Sequence, residues 1–191
     1  MKKINIEKET IIKLYEENLN DIIWTHKIHA TFLDELNKNY KIYTIIKESI
    51  IGLSGFVSIV FLYYEKYTGA IITNAISTLS IILENIFKFN NYEQKIKNTQ
   101  SNVNDLWYMK KELTNFKEYL KNDIVSWKEA KNKLEENLIQ RKEIYSKLEP
   151  VSEKIINKAS SKLHGRKDEE VNKEFFEESE WCKWKIILMS L

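Results

Sequence analysis

Two charge-free and mostly apolar stretches dominate the pattern of hydrophobic and polar positions along the chain. They are Ser49–Tyr64 and Tyr67–Leu83, and only Glu65 and Lys66 separate them. The flanking sequence is dense in Lys, Glu and Asn. Two helices folded back on each other across a lipid bilayer need such a block of uncharged surface, whereas a soluble helical protein has little use for it. We therefore predict a transmembrane hairpin over residues 45–89, with helices at 45–64 and 67–87.

The first stretch is short for a membrane span. At about 1.5 Å per residue, Ser49–Tyr64 covers roughly 24 Å of a hydrocarbon core of about 30 Å. Aromatic residues at both ends of the pair favour the bilayer, because such residues anchor helices at the interface. They are Tyr63, Tyr64 and Tyr67 at the tip, and Tyr40, Tyr43, Phe87, Phe89 and Tyr92 at the other end. A buried helical hairpin in a soluble bundle is the alternative.

The distribution of lysines predicts the orientation of the hairpin. The tip carries Lys66 alone, whereas three lysines precede the hairpin and three follow it, namely Lys38, Lys41, Lys47, Lys88, Lys95 and Lys97. Loops rich in lysine stay in the cytosol. We therefore expect a multi-pass protein of the cytoplasmic membrane with both chain ends in the cytosol.

A regular apolar seam leads into the hairpin. From Ile12 to Tyr43, apolar and histidine residues recur at alternating spacings of three and four, which is typical of helices that pack side by side. The pattern predicts one long helix from roughly Glu7 to Tyr64, with residues 1–44 as its cytosolic part. We expect the seam to join copies of the chain into a homo-oligomer, through Leu19, Ile22, His26, His29, Leu33 and Leu36.

His26 and His29 lie three residues apart on this seam. A metal site would need further ligands nearby, and Asp34 and Glu35 are too generic to count. Partly buried seam histidines are the favoured interpretation. A pH-sensitive interface stays open as an alternative, because imidazole titrates near neutral pH.

Beyond the hairpin, the chain is polar and helical. Residues 90–149 form a predicted cytosolic helical region with two apolar stripes, and Asn122 and Asp123 between the stripes are candidate helix caps. The second stripe runs from Ile124 through Leu138 to Leu148, and residues 150–191 are predicted to form amphipathic helices. With 4 Gly and 1 Pro in 191 residues, the predicted fold class is all-α: a long N-terminal helix, a transmembrane hairpin and coiled-coil-like cytosolic helices.

The second apolar stretch carries a polar stripe at helical spacing. Its candidate pore-lining residues are Thr73, Ser77, Ser80 and Glu84. Such a stripe lets helices approach closely and hydrogen-bond, or it lines a wet channel in an oligomer, and a channel wall is itself a helix–helix interface. Asn74, beside the stripe, is expected to face protein. The candidate residues for close helix packing are Gly52, Gly55, Ser58, Gly69 and Asn74.

Composition argues against several classes of function. A net charge of +2 gives no electrostatic reason for direct nucleic-acid binding. A single cysteine, Cys182, excludes an intramolecular disulfide and a Cys-based zinc site. The sequence has no Gly-rich phosphate loop, nucleophile elbow or metal-ligand spacing. We expect neither an enzyme nor a bound metal or cofactor.

The order of features resembles a known family. Trp24 and His26-Lys27-Ile28-His29 precede the hairpin, Glu84-Asn85-Ile86-Phe87-Lys88-Phe89-Asn90 forms its exit, and a polar helix continues through Trp107, Tyr108 and Leu113. Over roughly Ile11–Leu120 the chain resembles the SLATT domains, two-transmembrane effector modules associated with nucleotide-signalling and sensor components in bacterial conflict systems. The segment Asp123–Leu191 resembles the longer members, some of which accompany reverse transcriptases.

This resemblance implies an effector that forms pores or disrupts the membrane when a partner senses a phage or a signal nucleotide, and a family without catalytic residues. Our leading hypothesis is therefore an antiphage membrane effector that oligomerises in the lipid bilayer. Its partner would be a sensor, a nucleotide-signalling protein or a reverse transcriptase. The alternative is a non-pore helical scaffold or membrane anchor that binds a partner protein through the heptad seams.

Overall fold

A computed structural model describes the backbone of residues 2–63, 67–89 and 91–164, and the side chains of residues 6–60, 71–87 and 91–163. These residues form five helices and no strand, which confirms the all-α prediction. The helices are α1 Lys2–Tyr63, α2 Tyr67–Phe89, α3 Tyr92–Lys121, α4 Trp127–Ser146 and α5 Glu153–His164. The long N-terminal helix is confirmed and begins at Lys2. The domain boundaries at 44, 89 and 149 stay predictions.

The start of α4 differs from the sequence prediction. Ser126 is its N-cap, with a side-chain oxygen that accepts a hydrogen bond from the backbone N–H of Glu129. Asn122 and Asp123 do not cap α4. The backbone N–H of Asn122 donates to the Glu118 carbonyl at the end of α3, and Asp123 adopts a left-handed φ of 56°. A helix needs its cap directly before its first turn, and only Ser126 lies there.

The chain divides into two compact units, the first comprising residues 1–28 and 103–191. In its described part, α1, α3 and α4 pack around one apolar cluster, and α4 runs parallel to α1 because Tyr15 contacts Ala130 while Thr25 contacts Tyr145. A second, smaller cluster joins α5 to α1 through Trp24, Ile28, Ala159 and Leu163. The buried residues of the main cluster are Ile11, Tyr15, Leu19, Ile22, Leu106, Met109, Leu113, Leu120, Ala130 and Leu134.

The second unit comprises residues 29–102 and contains the two apolar stretches. Within it, α2 runs antiparallel to α1, because Ser58 contacts Thr73 near the tip and Lys47 contacts Glu84 near the other end. Half-buried positions on α2 recur at three- and four-residue spacing, the repeat of one helix face turned toward a neighbour. The predicted hairpin pairing is therefore present.

Candidate functional site

The outer surface of the hairpin is apolar and uncovered. Large side chains on both helices are exposed, among them Phe56, Ile59, Ile71 and Ile81. Among the described residues, two helices are long and apolar enough to cross a membrane, and the most apolar stretch of each is not buried in the chain. Exposed apolar surface of this extent marks contact with a membrane or with other protein.

The observed length of α2 is sufficient for a span. Its 23 residues cover about 34 Å at 1.5 Å per residue, against a hydrocarbon core of about 30 Å. α2 continues beyond its apolar run Tyr67–Leu83 at the end away from the tip, and α1 likewise extends the run that begins at Ser49 on the side away from the tip.

Polar side chains lie along the line where α1 and α2 face each other. The hydroxyl oxygens of Ser58 and Thr73 are 3.3 Å apart, and the Ser80 hydroxyl donates to the Ile76 carbonyl at 3.1 Å. At the end of the line away from the tip, the Lys47 ammonium lies 3.7 Å from the Glu84 carboxylate. Two of these contacts join the helices and the third lies within α2, so each of these side chains has a polar partner, as polar groups between two helices in lipid require.

The four candidate pore-lining residues do not share one environment. Thr73, Ser80 and Glu84 are half-buried on the side of α2 that faces α1, whereas Ser77 is exposed. Asn74 is also exposed in the single chain, and the expectation that it faces protein stays a prediction. One residue further along a helix rotates a side chain by about 100°, which places Asn74 outside while Thr73 faces inward. Whether any of the four lines a pore stays a prediction.

The glycines of the first segment do not pack on the second. A Cβ added at Gly52 or Gly55 would meet no heavy atom within 4 Å, and both residues are exposed. Ser58 does face α2, with half-buried Ser54 and Val57 on the same side of α1. α1 is rotated about its axis so that Ser54 and Ser58 face α2, which leaves Gly52 and Gly55 on the outer side of the helix. Close packing at Gly52 and Gly55 stays a prediction for contacts outside the chain, and the surroundings of Gly69 lie outside the described residues.

Aromatic side chains gather at the end of the hairpin away from the tip. Phe87 stacks nearly parallel on Tyr43, and its ring centroid lies 4.6 Å from that of Tyr92. Tyr40 donates a hydrogen bond of 2.7 Å to the Glu93 carboxylate, which raises the pKa of the Tyr40 hydroxyl. Beside this cluster lies a cleft of about 500 Å³. The tip aromatics Tyr63, Tyr64 and Tyr67 lie outside the described side chains.

The predicted oligomer seam is occupied within the chain. Leu19 and Ile22 are buried in the first unit, and His29, Leu33 and Leu36 are buried in the second, while His26 is half-buried. In this conformation these residues are covered within one chain, and their role in joining copies of the chain stays a prediction. A heptad pattern arises equally from packing between chains and from packing within one chain, so the sequence did not distinguish them.

The first unit contains a polar face that the sequence did not predict. The Tyr15 hydroxyl donates to the Ala130 carbonyl at 2.9 Å, and the hydroxyls of Thr25 and Tyr145 are 2.9 Å apart. Nearby, Asn137 of α4 is 2% exposed, and neither its side-chain nitrogen nor its oxygen has a hydrogen-bond partner. The predicted stripe passed through Leu138, which is exposed. The predicted stripe is therefore displaced by one residue at this point, and a stripe drawn through position 137 would have included Asn137.

Arg141 joins α4 to α1. Its guanidinium donates to the Asn18 side-chain oxygen at 2.7 Å and to the Asp21 carboxylate at 3.3 Å. Burial raises the pKa of the Asp21 carboxyl, and the Arg141 charge opposes this rise. The pair is thus partly removed from water. Substitution of either residue would leave the other charge partly buried and without its partner.

Comparison with known protein families gives a match over most of the chain. The chain matches SLATT family 4, described as the SMODS and SLOG-associating 2TM effector domain, over residues 11–180. The chain belongs to the SLATT family. The match continues through α4 and α5, beyond the part on which the sequence resemblance rested. No curated protein and no solved structure matches the chain.

Membership assigns the exposed apolar hairpin to a membrane. A SLATT domain is a two-transmembrane effector, and this chain supplies two apolar helices of spanning length. The protein is therefore a membrane effector of the kind found in conflict systems. Among the residues that the structure describes, no group of three or more His, Cys, Asp and Glu side chains is placed to hold a metal ion.

Proposed function

We propose that this SLATT domain is an antiphage effector that oligomerises in the cytoplasmic membrane and opens a pore or disrupts the bilayer when a partner or signal activates it. The observation that carries the proposal is the polar line inside the hairpin. Ser58, Thr73 and Ser80 follow one another along it, and the Lys47–Glu84 pair closes it.

Polar groups in this position have a cost that a simple anchor would avoid. A charged side chain near the bilayer centre costs about 2.5–3.5 kcal/mol on insertion scales, and the cost falls toward the interface. An anchor needs only apolar helices, whereas a pore needs groups that water and ions contact when the helices separate. A rotation of α2 in an oligomer would bring Thr73 and Ser80 to the lumen beside Ser77.

The orientation and partners of the effector belong to the same proposal. The lysines that flank the hairpin favour a cytosolic position for both chain ends, where a sensor, nucleotide-signalling protein or reverse transcriptase would reach α3, α4 and α5. We assign no catalytic step to any residue. The effect on the cell would come from ions that cross the membrane.

Ion selectivity of the reconstituted full-length protein tests the proposal. The expected result is conductance in planar bilayers with a preference for cations, because an acidic ring at Glu84 attracts them. Glu84→Gln should lower that preference severalfold. Glu118→Gln is the matched control, because Glu118 is an exposed carboxylate of α3 that lies outside the hairpin. Unchanged selectivity in Glu84→Gln would remove Glu84 from the lumen.

A cellular measurement tests the function as a whole. Expression of the protein together with its activating partner should collapse the membrane potential, read with a voltage-sensitive dye. Full insertion into the membrane with an intact potential, under conditions that stop growth, would contradict pore formation.

A helical scaffold or membrane anchor that recruits a partner is the second candidate. The exposed aromatic pair Trp107 and Tyr108 on α3 favours it, with the Lys111 ammonium 5.4 Å from the Trp107 ring. Exposed Trp and Tyr side chains are typical anchors of protein interfaces. Under this function, Trp107→Ala combined with Tyr108→Ala would abolish partner recruitment, and bilayer conductance would be absent throughout.

A further inference from the structure

The core of the first unit is shared unequally among its helices. Among the described residues of the main cluster, α1 and α3 each contribute four buried side chains, and α4 contributes Ala130 and Leu134. Partly buried Trp127, Ile144 and Tyr145 add contacts at the edge of α4. Burial of apolar surface is the main source of stability in such a bundle. The pair α1–α3 is therefore held more strongly than α4 is held on it.

The centre of the α4 interface contains a destabilising group. Asn137 lies seven residues after Ala130 and three after Leu134 on the same face, and its amide is buried without a hydrogen-bond partner. An unsatisfied buried polar group loses its hydration and gains nothing in return. When α4 leaves α1 and α3, water satisfies this amide. An apolar residue at position 137 would stabilise the packing of α4 on α1 and α3, whereas Asn137 weakens it and so favours release of α4.

Polar contacts hold α4 in register along the rest of the interface. They include the Arg141 contacts to Asn18 and Asp21, the hydrogen bond from Tyr15 to the Ala130 carbonyl, the Thr25–Tyr145 pair, and the ion pair of 2.9 Å between Lys133 and Glu112 of α3. Polar contacts of this kind specify one register more than they add stability, because water offers alternative partners to each group. They select the partner of α4 without holding it permanently.

Two short connections allow α4 to move as a body. Residues 122–126 join α3 to α4, with Asp123 in the left-handed region, and residues 147–152 join α4 to α5. The segment Trp127–His164, here called the arm, comprises α4 and α5. On α5, Ala159 and Leu163 pack against Trp24 and Ile28, a contact much smaller than the main cluster.

We propose that the arm is a releasable cover on the apolar seam formed by α1 and α3, and that the arm of a second copy takes its place when two chains associate. This inference rests on the proposed function, because it names how copies of the effector join. The helix shown to fit the seam is α4, and a second copy supplies the same helix with the same contacts. Exchange of identical elements is a common route to symmetric association. It also explains how a seam that is occupied in one chain serves between chains.

Charge-reversal substitutions of Arg141 and Asp21 test whether the arm of a second copy occupies the seam formed by α1 and α3. In Asp21→Arg two cations face each other, and in Arg141→Asp two carboxylates do, so neither chain holds its own arm. When the two full-length variants are coexpressed, exchanged arms restore one natural pair and one reversed pair. We expect mixed dimers in detergent by light scattering and mass, at least tenfold more abundant than homodimers of either variant.

The chain with both substitutions is the folding control. It restores the pair within one molecule and should behave as the wild type does. If this control folds with a protected arm while the coexpressed single variants form no mixed dimers, the second copy is not the occupant and the proposal is overturned. Capture of a different protein by the released seam would overturn it equally.

Hydrogen exchange in detergent tests release of the arm. Amides of α4 should exchange through openings that leave α1 and α3 protected. Asn137→Leu removes the unsatisfied amide and should lower the opening constant of α4 about ten- to a hundredfold. Asn132→Leu makes the same change at an exposed position of the same helix and should leave it unchanged. Equal opening constants for α4, α1 and α3 in the wild type would show that the arm is not separately releasable.

These measurements do not depend on conductance. Mixed dimers without any ion flux would contradict the proposed function and leave the arm exchange standing. Ion flux from chains whose arms never exchange would support the proposed function and contradict the arm exchange.

Discussion

At the residue scale, the buried imidazole of His29 shows how a polar side chain of a heptad seam is tuned by its surroundings. The residue is 6% exposed and meets the ring of Phe32 edge to face. Burial lowers the pKa of His29 to about 4, because the charged form loses its hydration there. The imidazole is therefore neutral at physiological pH and behaves as part of the apolar interior.

The lowered pKa of His29 predicts acid sensitivity of the fold. Between pH 6.5 and about 4 the unfolded chain binds a proton at this site and the folded chain does not, so stability is complete above pH 6.5 and is lost as the pH falls. The full loss amounts to about 3 kcal/mol. His29→Leu should remove this part of the pH dependence in thermal denaturation from pH 7.5 to pH 4.

Carboxylates that titrate in the same range affect wild type and variant alike, so the difference between the two curves isolates His29. Identical slopes for both proteins would show that His29 takes up its proton in the folded state.

At the element scale, α4 depends on its N-cap for a defined start. The Ser126 side chain accepts from the Glu129 N–H at 3.2 Å. Ser126→Ala should destabilise the helix by about 1 kcal/mol and lower the melting temperature by roughly 2–4 °C, measured by circular dichroism. Ser146→Ala removes a hydroxyl at the other end of the same helix, where it donates to a carbonyl of the last turn, and should have little effect. Equal effects of the two substitutions would contradict the capping role.

The helices could be predicted from the sequence where the spacing of apolar residues continues without interruption. The three-and-four spacing from Ile12 to Tyr43 and the apolar runs after it predict α1 and α2. The pattern does not say which chain covers a seam, so the burial of Leu33 and Leu36 within one chain was not foreseen. Nor does it fix the rotation of a helix that is apolar on most sides, which is why Gly52 was expected at the interface where Ser54 lies.

At the scale of the whole molecule, one substitution distinguishes a membrane helix from a soluble one. Ile59 in α1 is 69% exposed. In water, Ile59→Lys would be neutral or would improve solubility. In a bilayer, a lysine in a transmembrane helix costs up to about 2.5–3.5 kcal/mol, the full amount at the helix centre, which should reduce the carbonate-resistant fraction of the protein.

The matched control is Ile139→Lys, because Ile139 in α4 is 66% exposed and lies outside the apolar hairpin. It should leave membrane association unchanged. Carbonate release of the wild type, or equal membrane retention of the two variants, would contradict the transmembrane assignment of residues 45–64.

The contacts between Ser58 and Thr73 and between Lys47 and Glu84 also bear on how the host survives its own effector. Because these polar groups contact each other inside a single chain, they enter lipid without drawing a column of water in with them. Under the proposed function, a membrane that carries many inactive copies would therefore not leak ions, and leakage would begin only when those internal partners are exchanged for others.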